Sequence, residues 1–275
     1  MQPYSIACGA TLATVLNNPP IEAFEARILL SHALQLSRVQ LITQSERCLT
    51  ADEANTVSAL FQRRIDGEPI AYILGEREFF GLSFHTTPAV LIPRPETELL
   101  VELALARLPH GGQVLDMGTG SGAIAVAIAY SRPDVSVTAL DVSEAALDLA
   151  NRNAARNGAH VSFLRSNWFD AINAAQFDLI VSNPPYIVEN DPHLTQGDLR
   201  FEPIDALTDH ADGLSALRTI VSGAPEHLKS GGWLLMEHGY DQAAAVRELL
   251  VKHGFREVQS WQDLAGIERA SGGRR

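Results

Sequence analysis

Gln113-Val114-Leu115-Asp116-Met117-Gly118-Thr119-Gly120-Ser121-Gly122 decides the fold of this chain. Its first five residues read as a short buried strand. The glycines after it let the backbone turn sharply and come close to a ligand without a side-chain collision. Ile124, Ala127 and Ile128 then fall on the helix that the turn opens. Next, Val135-Ser136-Val137-Thr138-Ala139-Leu140 forms a second strand and ends at Asp141. A carboxylate there, about 20 residues beyond the glycines, is placed to bind both ribose hydroxyls of an adenosine-type cofactor. Strand, glycine turn, helix, strand and acid in that order say far more than the glycines alone.

Further along, Phe177-Asp178-Leu179-Ile180-Val181-Ser182 reads as another buried strand, ended at once by Asn183-Pro184-Pro185-Tyr186. Neither proline can donate to a ladder, so Asn183 is delivered to the carboxyl edge of the sheet, where open parallel sheets bind ligands. Asn183 offers an amide oxygen as acceptor, and Pro184, held extended by the next proline, presents its carbonyl in a fixed direction. Two rigid acceptors can grip the two N–H bonds of a planar amide or amine, and Tyr186 adds a flat face for stacking. A strand-ending turn is the simpler alternative, because Asn-Pro and Pro-Pro are ordinary loop punctuation. A third strand, Val161 to Leu164, ends at Ser166-Asn167-Trp168-Phe169, where Trp168 could cover an adenine ring, hydrophobic packing of the Trp-Phe pair being the simpler alternative.

Gly118, Gly120 and Ala123 also satisfy the alanine-ended dinucleotide fingerprint, so glycine spacing leaves a nicotinamide cofactor open. Asp116 points elsewhere. A carboxylate beside a pyrophosphate is unfavourable, whereas beside the amino and sulfonium groups of S-adenosylmethionine it is tolerated. A hydride-transfer enzyme also has no evident use for Asn183-Pro184-Pro185-Tyr186.

The first 75 or so residues read as a helical bundle. Ala26, Leu29, Leu30, Ala33 and Leu34 recur on one helix face, and Thr50-Ala51-Asp52-Glu53 has capping-box spacing. Phe79, Phe80, Leu82, Phe84, Val90 and Leu91 suggest a β-hairpin linker, and Pro93-Arg94-Pro95-Glu96 can start the helix through Leu99 and Leu103. The expected division is a helical docking domain 1–75, a hairpin linker 76–95 and a ligand-binding domain 96–275. A long polar loop from Ile187 to Gly213 suits a substrate lid. Its His193 and His210 lack ligand spacing, and no metal is expected. Helix 214–228, strand 233–237, helix 241–252, strand 255–260 and a last strand near Ile267 to Ala270 complete the pattern.

Composition excludes other classes. A formal net charge of −12 on 275 residues, with Lys229 and Lys252 the only lysines, argues against a protein that binds nucleic acid by phosphate neutralisation. Cys8 and Cys48 have no paired spacing, as befits a reducing compartment. No apolar stretch reaches the length of a membrane span. A cytoplasmic monomer without membrane attachment is expected.

With these motifs assembled, the chain resembles the class I S-adenosylmethionine-dependent methyltransferases and, more narrowly, the release factor glutamine methyltransferase family. The resemblance rests on Arg63-Arg64-x-x-Gly67-Glu68-Pro69-Ile70-Ala71, on Leu91-Ile92-Pro93-Arg94-Pro95-Glu96-Thr97-Glu98, on the glycine turn, on Asn183-Pro184-Pro185-Tyr186, and on Arg200-Phe201-Glu202-Pro203. It implies an α/β, Rossmann-like, seven-stranded and mostly parallel methyltransferase sheet with a small N-terminal helical bundle. It implies S-adenosylmethionine as methyl donor and S-adenosylhomocysteine as product, held by Gly118, Thr119, Gly120, Ser121, Gly122, Asp141, Trp168 and Asn183. The implied substrate is the Gly-Gly-Gln glutamine of bacterial peptide chain release factors, bound by Asn183, Pro184, Pro185 and Tyr186. Asn183, Pro184 and Tyr186 are the implied catalytic residues. A ribosomal-protein glutamine, or an exocyclic adenine amine in nucleic acid, would suit the same tetrapeptide chemistry. Two positions depart from the family pattern. Asn167 stands where an acid is common, and Ala270-Ser271-Gly272-Gly273 is a poor strand former, so the seventh strand is expected to be short or frayed.

Overall fold

The computed structural model describes residues 3–275. They fall into two compact units, residues 3–75 and Glu76–Arg275. In the first, five helices pack on one another: α1 (Leu12–Asn17), α2 (Ala23–Leu34), α3 (Arg38–Thr43), α4 (Ala51–Ile65) and α5 (Ile70–Leu74). Capping boxes start α3 at Ser37 and α4 at Thr50, each satisfying orphan amides with a Gln or Glu three residues on. Leu12, Leu29, Leu30, Val57 and Phe61 form a closed core. The Arg63-Arg64 motif builds the turn after α4. Arg63 grips Glu68 through Nε (2.7 Å), and Arg64 donates to Glu25 (2.9 Å) and to the Glu68 carbonyl (3.2 Å).

The second unit opens with an antiparallel hairpin, β1 (Glu76–Phe79) and β2 (Leu82–His85), followed by α6 (Glu98–Leu105). Seven further strands, β3 (Gln113–Met117), β4 (Ser136–Asp141), β5 (Val161–Arg165), β6 (Phe177–Ser182), β7 (Leu228–Glu237), β8 (Arg256–Gln262) and β9 (Glu268–Arg274), form one sheet in the order β5-β4-β3-β6-β7-β9-β8. Helices α7 (Ala123–Ser131), α8 (Glu144–Arg156), α9 (Ser215–His227) and α10 (Ala243–Lys252) alternate with them. Pairing is parallel from β5 to β7, and β9 is antiparallel to both of its neighbours. Side chains alternate between two cores: Val114, Leu179 and Val181 face one, and Leu115, Met117 and Ile180 the other. Both faces are therefore covered, which is why these strands read as continuous apolar runs. The chain winds outward from β3 to β5 and then returns to β6, so the switch point lies at the carboxyl ends of β3 and β6.

The hairpin expected as a linker is part of this unit. Phe79 and Phe84 are buried in its larger core, and Val90 and Leu91 lie beyond the strands. Asn153 of α8 accepts from the His85 amide (2.7 Å) and donates to the carbonyls of His85 (3.1 Å) and Ser121 (2.9 Å). One buried amide so ties the hairpin to the glycine turn.

The seventh strand corrects the expectation of fraying. It runs from Glu268 to Arg274, with Gly272 paired to Leu235 on one side and to Gln259 on the other. Two ladders override its low propensity, and its glycines answer a close approach: a Cβ on Gly272 would lie 2.4 Å from the Leu234 carbonyl oxygen. Among the described residues, no helix is long and apolar enough to cross a membrane.

Candidate active site

A cavity of about 290 Å³ opens at the switch point. Met117, Gly118, Thr119, Gly120 and Ser121 form its floor. Gly118 and Gly120 have φ of 71° and 54°, a conformation that side chains resist, and a Cβ on either would meet no other atom. Their backbone lies open to a ligand. Gly122, expected among the cofactor contacts, does not line the cavity. Its φ is 82°, and a Cβ there would come within 3.0 Å of the Ala150 Cβ, so this glycine lets the start of α7 pack on α8.

Asp141 closes the end of β4 on the cavity wall. One carboxylate oxygen accepts from the Gly120 amide (2.9 Å) and the other from the Ser143 amide (2.9 Å), which fixes the acid beside the glycine turn and leaves further lone pairs for a diol. Burial raises its pKa. Asp116 is fully buried; its Oδ2 accepts from Thr119 Oγ1 (2.6 Å) and the Ala125 amide (3.2 Å), while Oδ1 has no partner. Burial pushes its pKa up to about 7, and the charge of Asp141 adds to the shift.

Asn167 and Trp168 supply the third side. Trp168 has φ of 48°, a strained conformation for a bulky residue, and Ser166 Oγ donates to its carbonyl (2.7 Å). Arg94 and Pro203 bring two further motifs to the lining. Arg94 pairs with the buried carboxylate of Glu202, whose other oxygen accepts from the Ile92 amide (3.0 Å). Pro203, Asp205 and Ala206 from the same polar loop also line the cavity. His193 and His210 bond Asp191 (2.6 Å) and Asp205 (2.7 Å), both at the surface.

Asn183 and Pro185 reach the cavity from the end of β6. Pro184 and Tyr186 do not line it: Pro184 is buried, and the Tyr186 hydroxyl turns to Glu237 Oε1 (3.2 Å). Asn183 Nδ2 donates to Thr97 Oγ1 (3.2 Å), and Thr97 Oγ1 donates to Glu237 Oε2 (2.7 Å). Gln242 fastens the chain just beyond by donating to the carbonyls of Tyr186 (3.0 Å) and Gly213 (3.1 Å). Sequence reading missed Thr97, Glu237 and Gln242. The available signal for Glu237 was its position: like Asp141, it ends a strand at the carboxyl edge.

Burial raises the Glu237 pKa to about 7 and, together with the Glu237 charge, raises that of Tyr186. Asp116 and Glu237 therefore bind protons more tightly folded than unfolded, where their values are 3.8 and 4.5. Their contribution to stability is full below pH 4 and is lost as pH rises through 7. Urea unfolding from pH 5 to 8 should show stability falling with pH, and Glu237→Gln should reduce the slope by up to one proton; an unchanged slope would contradict a raised Glu237 pKa.

Comparison with known proteins fits this geometry. The Methyltransferase small domain family model matches residues 94–197, and the PrmC N-terminal domain model matches residues 12–75. A release factor glutamine methyltransferase of Burkholderia pseudomallei (strain K96243) is 57% identical over 274 residues, 96% of each chain. Its counterpart in Escherichia coli (strain K12) is 46% identical over 252 residues, 91% of each chain. The crystal structure of a methyltransferase from Pyrococcus furiosus aligns with a TM-score of 0.55 at 23% identity, covering 77% of this chain and 95% of that one. The T. thermophilus 16S rRNA N2 G1207 methyltransferase, in complex with AdoMet and guanosine, aligns at 0.54 and 23%, covering 73% of this chain and 49% of that one. These two share the fold. The near full-length identities go further, and the chain belongs to the release factor glutamine methyltransferase family.

Proposed function

We propose that this chain moves a methyl group from S-adenosylmethionine to the side-chain amide nitrogen of the Gly-Gly-Gln glutamine in bacterial peptide chain release factors. The observation that carries the proposal is Asn183, which lines the cavity together with the glycine turn and whose amide is bonded through Nδ2 to Thr97, so that Oδ1 is left as an acceptor. The residues fit the donor: Gly118 and Gly120 offer bare backbone, Asp141 offers ribose acceptors, and Trp168 offers an aromatic face. When bound, the donor supplies a methyl activated by its sulfonium and leaves as S-adenosylhomocysteine.

The chain's own work is orientation. A primary amide nitrogen is a weak nucleophile because its lone pair is delocalised into the carbonyl. Asn183 Oδ1 and the backbone carbonyl of Pro184, a buried residue next to the two that line the cavity, would accept its two N–H bonds, aim the lone pair at the methyl carbon, and stabilise positive charge growing on nitrogen. The C–N bond forms as the S–C bond breaks, and the cationic amide then loses one proton to solvent.

Incubation with labelled S-adenosylmethionine and a whole extract, followed by mass spectrometry, tests the substrate. Label on the release factor glutamine is expected; label confined to nucleic acid or a ribosomal protein would overturn the assignment. For the cofactor, Asp141→Ala removes charge-assisted acceptors and the brace on Gly120, and should weaken S-adenosylhomocysteine binding about 30-fold by calorimetry. A Kd within threefold of wild type would remove Asp141 from the cofactor site.

A further inference from the structure

We propose that Glu237 is a positioning residue for methyl transfer: acting through Thr97, its carboxylate locks the Asn183 amide with Nδ2 turned away from the acceptor site and Oδ1 presented to it. The proposal rests on reading Asn183 as the amide clamp and deepens that reading by giving the clamp its polarity.

An asparagine amide is nearly symmetric in shape, so packing alone distinguishes its two orientations poorly. The choice matters here. With Oδ1 presented, Asn183 accepts from a substrate amide; with Nδ2 presented, two N–H donors would face each other. The bonding chain removes the ambiguity. A carboxylate only accepts, so the single hydroxyl proton of Thr97 is committed to Glu237 Oε2 at 2.7 Å. Thr97 Oγ1 then has only lone pairs for Asn183, and these accept a hydrogen bond from Nδ2 at 3.2 Å. Inverting the amide would set Oδ1 against Oγ1 with no proton between them, leaving a polar contact unsatisfied. The second carboxylate oxygen accepts from Tyr186 at 3.2 Å, so one acid governs both ends of the tetrapeptide.

Glu237 is 3% exposed, too buried to serve as a solvated surface charge. Arg269 of β9 favours its ionised form and Glu96, just before α6, opposes it. Tyr186 faces it as a donor, and the adjacent His238 is turned elsewhere, bonded to the Gly239 carbonyl and Ser271 Oγ. Protonation at Oε2 would let Glu237 donate to Thr97, whose own proton would then face Asn183 and favour the inverted amide. The ionised acid is the form that sets the clamp.

The test uses the full chain with a release factor as substrate, measuring kcat, KM and S-adenosylhomocysteine affinity. Thr97→Val keeps the shape and removes the relay; kcat should fall about 100-fold, the penalty of a misoriented reacting group, with cofactor Kd changed less than threefold. Thr97→Ser should restore kcat to within about threefold of wild type. Glu237→Gln should lower kcat and abolish any rise of kcat with pH across neutrality. Thr97→Val with near-normal kcat, or Thr97→Ser as impaired as Thr97→Val, would overturn the relay. If the wild-type chain methylates a different acceptor, the substrate assignment fails, while the ratio of Thr97→Val to wild type on that acceptor still decides the role of Glu237.

Discussion

Asn183→Ala is expected to lower kcat for methyl transfer at least about 1,000-fold, with the fold intact and cofactor binding weakened far less. The amide lies at the meeting point of three features: the carboxyl end of β6, the glycine turn one strand away, and the Thr97 hydroxyl that orients it. Alanine deletes one of two substrate acceptors and the group that aims the nitrogen. Remaining contacts could still hold a glutamine, so the loss should fall on kcat more than on KM. Asn183→Asp is the sharper variant. It keeps an oxygen in place of Oδ1 but sets a second carboxylate against Thr97, close to the buried Glu237, with no proton for the contact that Nδ2 made. It should be nearly as inactive as alanine despite its shape. Single-turnover methylation, paired with S-adenosylhomocysteine calorimetry, separates these effects. A turnover within tenfold of wild type for Asn183→Ala would sink the clamp.

The parts of this site that sequence reveals are those encoded locally. Val114 to Met117, followed by glycines, declares strand and turn within ten residues, and Asp141 follows at a spacing set by one helix and one strand. Chemistry assembled from distant segments leaves no such mark. Thr97 and Glu237 are 140 positions apart, and Arg94 and Glu202 are 108 apart, so neither pair has a spacing to read. Arg94 and Glu202 both stand inside motifs, yet what joins those motifs is a fold-level contact: the Glu202 carboxylate of the polar loop is buried against the stretch before α6. Gly122 shows the converse. It sits in the glycine run and looks like a ligand contact, but its neighbour is Ala150 of α8, a residue whose position depends on how the helices pack. Tyr186 is similar: an aromatic at a strand edge suggests stacking, and its hydroxyl bond to the buried Glu237, 51 positions on, has no local mark in the sequence.

Gly272→Val is expected to destabilise the protein by about 3 kcal/mol or more, lowering Tm by roughly 8 °C, although valine is the better strand former. Propensity describes a side chain on a pleated surface with room beside it. At Gly272 there is none: a Cβ would lie 2.4 Å from the Leu234 carbonyl oxygen and 2.7 Å from Leu235 Cδ2. The first of these is backbone of the neighbouring ladder and cannot rotate aside, so strand β9 would have to move. Gln259→Val is the control, since it sits opposite Gly272 on β8 but is exposed, and should change stability by less than about 0.5 kcal/mol. Differential scanning calorimetry of both variants decides the matter, and a Gly272→Val protein melting within about 2 °C of wild type would show that the sheet yields. The damage should also reach the active site. Ala270, two residues earlier, pairs with Glu237, and Ser271 Oγ bonds His238 Nε2 at 2.8 Å, so a displaced β9 shifts the strand end that carries the carboxylate. Activity of the folded fraction at low temperature should therefore drop with Gly272→Val and hold with Gln259→Val, because the strand that glycine permits is the support on which Glu237 stands.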